Sequence, residues 1–115
     1  MTIYEFKENL KKAALESIPG IDTVSIKVFN CGEEFRIETN LIYSDCCLLE
    51  DKNPLIAEVS IILDKDLCYR VLSYSIFPSF ETRDRKMYLE DFLDIFEKSI
   101  NDERSQILFK TFNNQ

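Results

Sequence analysis

Residues 23–43 read TVSIKVFNCGEEFRIETNLIY, and this stretch decides the fold class. Apolar and polar residues alternate on both sides of a short central turn, which is the pattern of two β-strands that each bury one face. Asn30 and Gly32 in the turn tolerate the positive φ values that tight turns require. We expect Val28 to pair with Phe35, because this pairing puts the apolar side chains of both strands on one face. The stretch therefore predicts an antiparallel β-hairpin.

A second hairpin is predicted downstream. Alternate residues from 55 to 63 are apolar, and Asp64-Lys65-Asp66 forms a tight turn after them. We expect Leu63 to pair with Leu67 across this turn. After Val71 the apolar positions change phase, so that they fall on Leu72, Tyr74 and Ile76, which indicates a β-bulge or a strand buried on both faces.

Helices are predicted at both ends of the chain. Thr2 and Glu5 form a capping box, and apolar residues at helical spacing follow it, so the first helix should run from about residue 3 to 17 and stop at Pro19. A second helix is predicted over residues 84–100. Asp102 either caps a further short helix or lies inside a helix that continues, and the pattern leaves both alternatives open.

The order of elements is therefore α-β-β-β-β-α, with a final α left open. Consecutive hairpins with helices at the chain ends are typical of an α+β fold. We predict an antiparallel four-stranded sheet made of two hairpins, flanked by an N-terminal helix and a C-terminal helical segment. No linker interrupts the sequence, which predicts a single domain over residues 1–115.

Composition narrows the range of functions. Hydrophobic residues make up 45% of the chain, which is enough to build a core and excludes disorder. Because the chain has no His, it lacks the usual acid/base group and the commonest metal ligand. Its 2 glycines cannot build a Gly-rich phosphate loop, and its net charge of −7 disfavours direct nucleic-acid binding. We therefore expect a protein that is not an enzyme and has no cofactor.

The cysteines and the chain start bear on the compartment. Cys31, Cys46, Cys47 and Cys68 contain no C-x-x-C knuckle, so we expect free thiols and no bound metal. The first residues are charged where a signal peptide needs an apolar run, and no apolar run approaches the roughly 18 residues of a membrane helix. These features predict a cytoplasmic protein that has no membrane segment.

The predicted second helix carries four carboxylates at spacings of three and four residues. Clustered carboxylates can hold a divalent metal or act as an acid/base pair, but they are also typical of the solvated face of an amphipathic helix. We expect the solvated face. The residues concerned are Glu90, Asp91, Asp94 and Glu97.

Excess negative charge lies in the first hairpin and the residues after it. Such an acidic surface can dock on a basic surface of another protein. This predicts a non-enzymatic, protein-binding regulator, such as an inhibitor, an immunity or anti-defence factor, or a specific chaperone. The predicted partner-binding residues are Glu33, Glu34, Glu38, Asp45, Glu50, Asp51 and Glu58.

The sheet face away from the helices offers an alternative function. By alternation it carries charged residues together with Phe29, Ile42, Ile56 and Ile62, and such a mixed face suits a protein-binding surface. The alternative is thus a structural or assembly protein that self-associates through the open face, for example as a homodimer. A third option is that the C-terminal segment covers this face with its own apolar residues, which are Ile107, Leu108, Phe109 and Phe112.

Overall fold

The computed structural model describes residues 1–43, 55–77 and 84–113. These residues form an α+β fold whose order is α-β-β-β-β-α-α, which confirms the predicted fold class. The C-terminal segment consists of two helices. The elements are α1 (Ile3–Ser17), β1 (Thr23–Asn30), β2 (Glu34–Tyr43), β3 (Leu55–Asp64), β4 (Tyr69–Phe77), α2 (Asp84–Asn101) and α3 (Glu103–Asn113).

Side-chain caps set the ends of the helices. Thr2 is the N-cap of α1, and its Oγ1 accepts a hydrogen bond from the Glu5 backbone N–H at 3.1 Å, as the capping box predicts. Asp102 separates α2 from α3, because its carboxylate accepts a hydrogen bond from the Arg104 backbone N–H at 2.9 Å. This bond lowers the pKa of Asp102 below its usual value. The cap explains why the chain starts a new helix here.

The four strands form an antiparallel sheet in the order β1-β2-β3-β4. Both predicted hairpin registers are wrong by two residues. Val28 pairs with Ile37 and not with Phe35, and Leu63 pairs with Tyr69 and not with Leu67. A shift of two residues keeps each side chain on its own face, so the division between buried and open faces follows the predicted alternation as far as the bulge in β4.

Turn chemistry explains the corrected registers. In the first hairpin the Cys31 N–H bonds to the Glu34 carbonyl at 2.9 Å, which leaves Gly32-Glu33 as the loop. Gly32 has a φ of 92°. A two-residue turn with a positive φ at its first position favours glycine there, because glycine has no Cβ to clash. The predicted register would have put Cys31 in that position.

The second turn depends on Asp64. Its carboxylate accepts hydrogen bonds from the backbone N–H groups of Asp66 at 2.9 Å and Cys68 at 3.0 Å, and its own N–H bonds to the Cys68 carbonyl. Leu67 therefore lies in the loop with a φ of 65°, where the three-residue turn needs a left-handed residue. The strand resumes only at Tyr69.

A β-bulge interrupts the pairing of β3 with β4. Ser60 pairs with Ser73, whereas the next residue, Ile61, pairs with Val71. Leu72 is the extra residue, and 45% of its surface is exposed. The predicted change of phase after Val71 is therefore a bulge.

The core lies between the sheet and the three helices, all on one side. Phe109 of α3 packs edge-to-face on Phe6 of α1 and on Phe35 of β2, with ring centroids 4.9 Å and 5.0 Å away. The third option, in which the C-terminal segment covers the opposite face, is therefore wrong for Phe109, while the Phe112 side chain lies outside the described residues. Leu108 also packs against the core, and Ile107 is 58% exposed.

We predict that Phe96→Ala destabilises the fold by about 3–5 kcal/mol, because Phe96 of α2 has no exposed surface and its removal leaves a cavity. The measurement is urea denaturation followed by circular dichroism. Leu15→Ala, at a partly exposed position of α1, is the control and should cost much less. An unchanged midpoint for Phe96→Ala would mean that α2 is not part of the core.

Candidate functional site

The candidate site is the sheet face opposite the helices. None of the described helices packs on it, and the register arranges its side chains in rows across the strands. Two polar rows occupy the centre, and rows containing apolar residues flank them. From the end nearest the β1–β2 turn, the rows are Glu34 and Asp64; Phe29, Arg36, Ile62 and Arg70; Lys27, Glu38, Ser60 and Ser73; Ser25, Asn40, Glu58 and Ser75; and Thr23, Ile42 and Ile56. We call this surface the open face.

The two central rows line a shallow polar depression of about 220 Å³. Within it, Arg36 Nε lies 3.0 Å from Glu38 Oε1, and both side chains are roughly half exposed. Exposed ion pairs of this kind contribute little to stability. The pair instead presents a donor and an acceptor side by side on the open face.

Ser60 is the unusual residue of the depression. It is only 7% exposed, and its Oγ has no hydrogen-bond partner among the described residues. Buried polar groups in folded proteins are normally hydrogen-bonded, so this hydroxyl is an exception. Its oxygen is itself buried, so a molecule on the open face would reach it only if neighbouring side chains moved. Thr39 Oγ1 is likewise buried without a described partner, but Thr39 lies on the core side of β2.

Apolar surface borders the polar centre. Phe29 on the edge strand β1 is 44% exposed, and Ile42 and Ile56 are half-buried. Ile62 lies on this face, as the alternation predicts, but only 7% of its surface is accessible. It lies between Arg36 and Arg70 in the register, where the aliphatic stems of long basic side chains can cover an apolar neighbour.

The predicted partner-binding residues divide into two groups. Glu34, Glu38 and Glu58 share the open face, and Glu33 is exposed in the adjoining β1–β2 turn. The other three, which are Asp45, Glu50 and Asp51, lie outside the described residues.

The open face is balanced in charge. It carries Lys27, Arg36 and Arg70 as well as its glutamates. Asp64, opposite Glu34, adds a further acid, so only a small part of the chain's net charge of −7 comes from this surface. A partner that docks here meets both signs of charge, together with hydroxyl and amide groups.

Sequence reasoning missed the serines of β4. Ser73 and Ser75 line the depression beside Ser60, but the bulge conceals their phase in the sequence. The signal that could have found them is the alternation of Ser73, Tyr74, Ser75 and Ile76, once Leu72 is treated as an inserted residue.

The carboxylates of α2 lie mostly on an exposed helix face, as expected, but one of them, Glu97, bonds to the sheet. The Tyr69 hydroxyl of β4 donates a short hydrogen bond to Glu97, and the Tyr69 ring packs edge-to-face on Phe96 with centroids 5.2 Å apart. Burial, this bond, and the charges of Glu97 and Asp94 raise the pKa of Tyr69 to about 12. Within the described ranges, no group of three or more His, Cys, Asp or Glu side chains could hold a metal ion.

We predict that Tyr69→Phe changes the stability of the protein at alkaline pH. The folded state raises the Tyr69 pKa from 10.0 to about 12, so it favours the neutral phenol. This stabilisation is complete below pH 10 and is lost as the pH rises from 10 to 12. The wild type should therefore lose more stability across this window than Tyr69→Phe.

Denaturant melts at several alkaline pH values test this prediction. Tyr4→Phe, which removes an exposed tyrosine hydroxyl from α1, is the matched control and should follow the wild type. If wild type and Tyr69→Phe lost the same free energy of unfolding across this pH range, the hydrogen bond between Tyr69 and Glu97 would not stabilise the fold.

Comparison with known proteins assigns no relative to the chain. No protein-family model, curated protein or solved structure matches it. Among the described helices, none is both long enough and apolar enough to cross a membrane. Cys31 and Cys68 are exposed free thiols.

Proposed function

We propose that this protein is a non-enzymatic, protein-binding regulator, such as an inhibitor, an immunity or anti-defence factor, or a specific chaperone, that acts in the cytoplasm. It docks on a basic surface of its partner through the open face and the adjoining β1–β2 turn. The absence of His from the whole chain supports a role in binding rather than in catalysis.

The observation that carries this proposal is the make-up of the open face. A polar centre of serines, Asn40 and the Arg36–Glu38 pair, bordered by exposed Phe29, combines the features of a protein interface. Aromatic side chains at such surfaces contribute much of the binding energy, whereas polar groups fix orientation.

Charge supplies the preference for a basic partner. Glu33 and Glu34 stand together at one end of the open face, where the described ion pairs do not include either carboxylate. Glu58 lies in the central depression and is exposed. Long-range attraction to these groups would speed association with a basic surface, and salt would weaken that attraction.

We predict that the double variant Glu34→Lys and Glu58→Lys associates with the partner about threefold to tenfold more slowly at low salt. The variant should keep its fold, because surface substitutions usually cost within about 0.5 kcal/mol. The double variant Glu8→Lys and Glu16→Lys reverses two exposed charges on α1 and is the matched control.

Affinity capture from a lysate of the native host, with the wild type and the two double variants each used as bait, identifies the partner for this measurement. A protein retained by the wild type and the α1 control, but lost by the open-face variant, is the partner to purify for stopped-flow or surface-plasmon kinetics. Equal association rates for all three proteins at low salt, with normal circular dichroism spectra, would remove acidic docking from the proposal.

The balanced charge of the open face favours a second candidate function, which is self-association. A uniformly acidic surface would repel its own copy, whereas Glu38 and Glu58 can accept hydrogen bonds from the Ser and Asn groups of a second open face. Sedimentation velocity over a range of concentrations separates the two functions. A dimer that Phe29→Ser disrupts, and Leu15→Ser does not, would favour self-association over docking on another protein.

A further inference from the structure

A second surface lies at the other side of the molecule, away from the open face. It is a groove of about 710 Å³ between the start of α1, the α3 helix, and the ends of β1 and β2 that meet at their turn. Its volume falls within the range of roughly 300–1,000 Å³ that is typical of small-molecule sites. The side chains that make it apolar are Met1, Ile3, Val28, Phe35, Ile107 and Leu108.

Two large side chains of the groove are strongly exposed. Ile107 is 58% exposed and Tyr4 is 68% exposed, and both line the groove. They come from α3 and α1, so they stand on two of its walls. An apolar ligand in the groove would remove both from water at the same time.

One charged side chain lines the groove, and it is basic. Arg104 stands on α3, with 69% of its side chain exposed. Asp102 lies 3.5 Å from its Nε and neutralises part of the charge, while Glu5 lies in the adjoining first turn of α1 and bonds to Thr2. The guanidinium has five N–H donors, so this one contact leaves donors free for an anion.

We propose that the groove binds a linear amphiphile of the fatty-acid class, with its hydrocarbon chain along the apolar walls and its carboxylate at Arg104. Charge complementarity selects an anionic head group over a cationic one. The groove is concave and bounded on three sides by α1, α3 and the sheet end, which suits a narrow chain better than the roughly 800 Å² contact of a typical protein partner.

Isothermal titration with dodecanoate tests this proposal, with dodecyltrimethylammonium as the probe of equal chain length and opposite charge. Both are used below their micelle concentrations. The wild type should bind one dodecanoate per chain and should bind the cation more weakly. Equal binding of the two probes, or no binding of dodecanoate, would overturn the proposal.

Two variants and their matched controls locate the site. Ile107→Ser should weaken dodecanoate binding about fivefold to tenfold, because it removes apolar contact. Leu72→Ser changes an exposed apolar residue on β4, far along the chain from the groove, and should leave binding unchanged. Arg104→Gln should weaken dodecanoate about threefold and strengthen the cation, because it removes the charge that attracts one head group and repels the other. Arg70→Gln on the open face is its control.

Methyl NMR gives an independent readout that does not depend on the variants. Dodecanoate should shift the methyl signals of Ile3, Val28 and Ile107 and leave those of the open face in place. Shifts confined to Ile42 and Ile56 would overturn the proposal by moving the ligand to the open face. A dimer that Ile107→Ser dissociates, without any dodecanoate binding, would assign the groove to a second copy and would also overturn it.

Discussion

The contact of Phe109 with Phe6 and Phe35 organises the whole molecule. It joins the last helix, the first helix and the second strand, and its ring centroids are 4.9 Å and 5.0 Å from its two partners in edge-to-face geometry. Aromatic pairs in this geometry add stability beyond the area that they bury. Because the contact holds α3 on the helical side of the sheet, the same interaction leaves the open face uncovered and builds one wall of the apolar groove.

One-sided burial then divides the sheet chemically. On the core side, the strands supply residues such as Phe35, Ile37 and Ile61, which have no exposed surface. The other side must face water or a partner, and its two central rows are accordingly polar. Ser60 does not fit this division, because it is buried although it lies on the open face, and its Oγ has no described hydrogen-bond partner. A buried hydroxyl without a hydrogen-bond partner costs free energy of folding.

Charge is distributed differently from what the net value of −7 implies. The open face balances its glutamates with Lys27, Arg36 and Arg70, whereas carboxylates of α2 cluster near Tyr69. Glu97 accepts the Tyr69 hydrogen bond, so part of the acidity serves to hold β4 against α2. We place docking at the β1–β2 turn and the central depression because Glu33, Glu34 and Glu58 there are not engaged in a described ion pair.

The sequence by itself determined the elements and their faces. Alternation placed Phe29, Arg36 and Glu58 on one side of the sheet, and the Thr2 cap marked the start of α1, because strand period and helix capping are local properties of the chain. The two turns decided the register. The first needs a positive φ, which Gly32 supplies, and in the second the Asp64 carboxylate accepts hydrogen bonds from two backbone N–H groups. Local pattern cannot fix these, because a shift of two residues satisfies the alternation equally well.

Only the tertiary structure decided which side of the sheet the last helix covers. Ile107, Leu108 and Phe109 are apolar in sequence and could have packed on either face. Phe109 enters the core between α1 and β2, and since consecutive helical residues point about 100° apart, Ile107 is left exposed at the groove. The open face and the groove therefore both follow from the long-range packing of Phe109 on Phe6 and Phe35, which no local sequence pattern encodes.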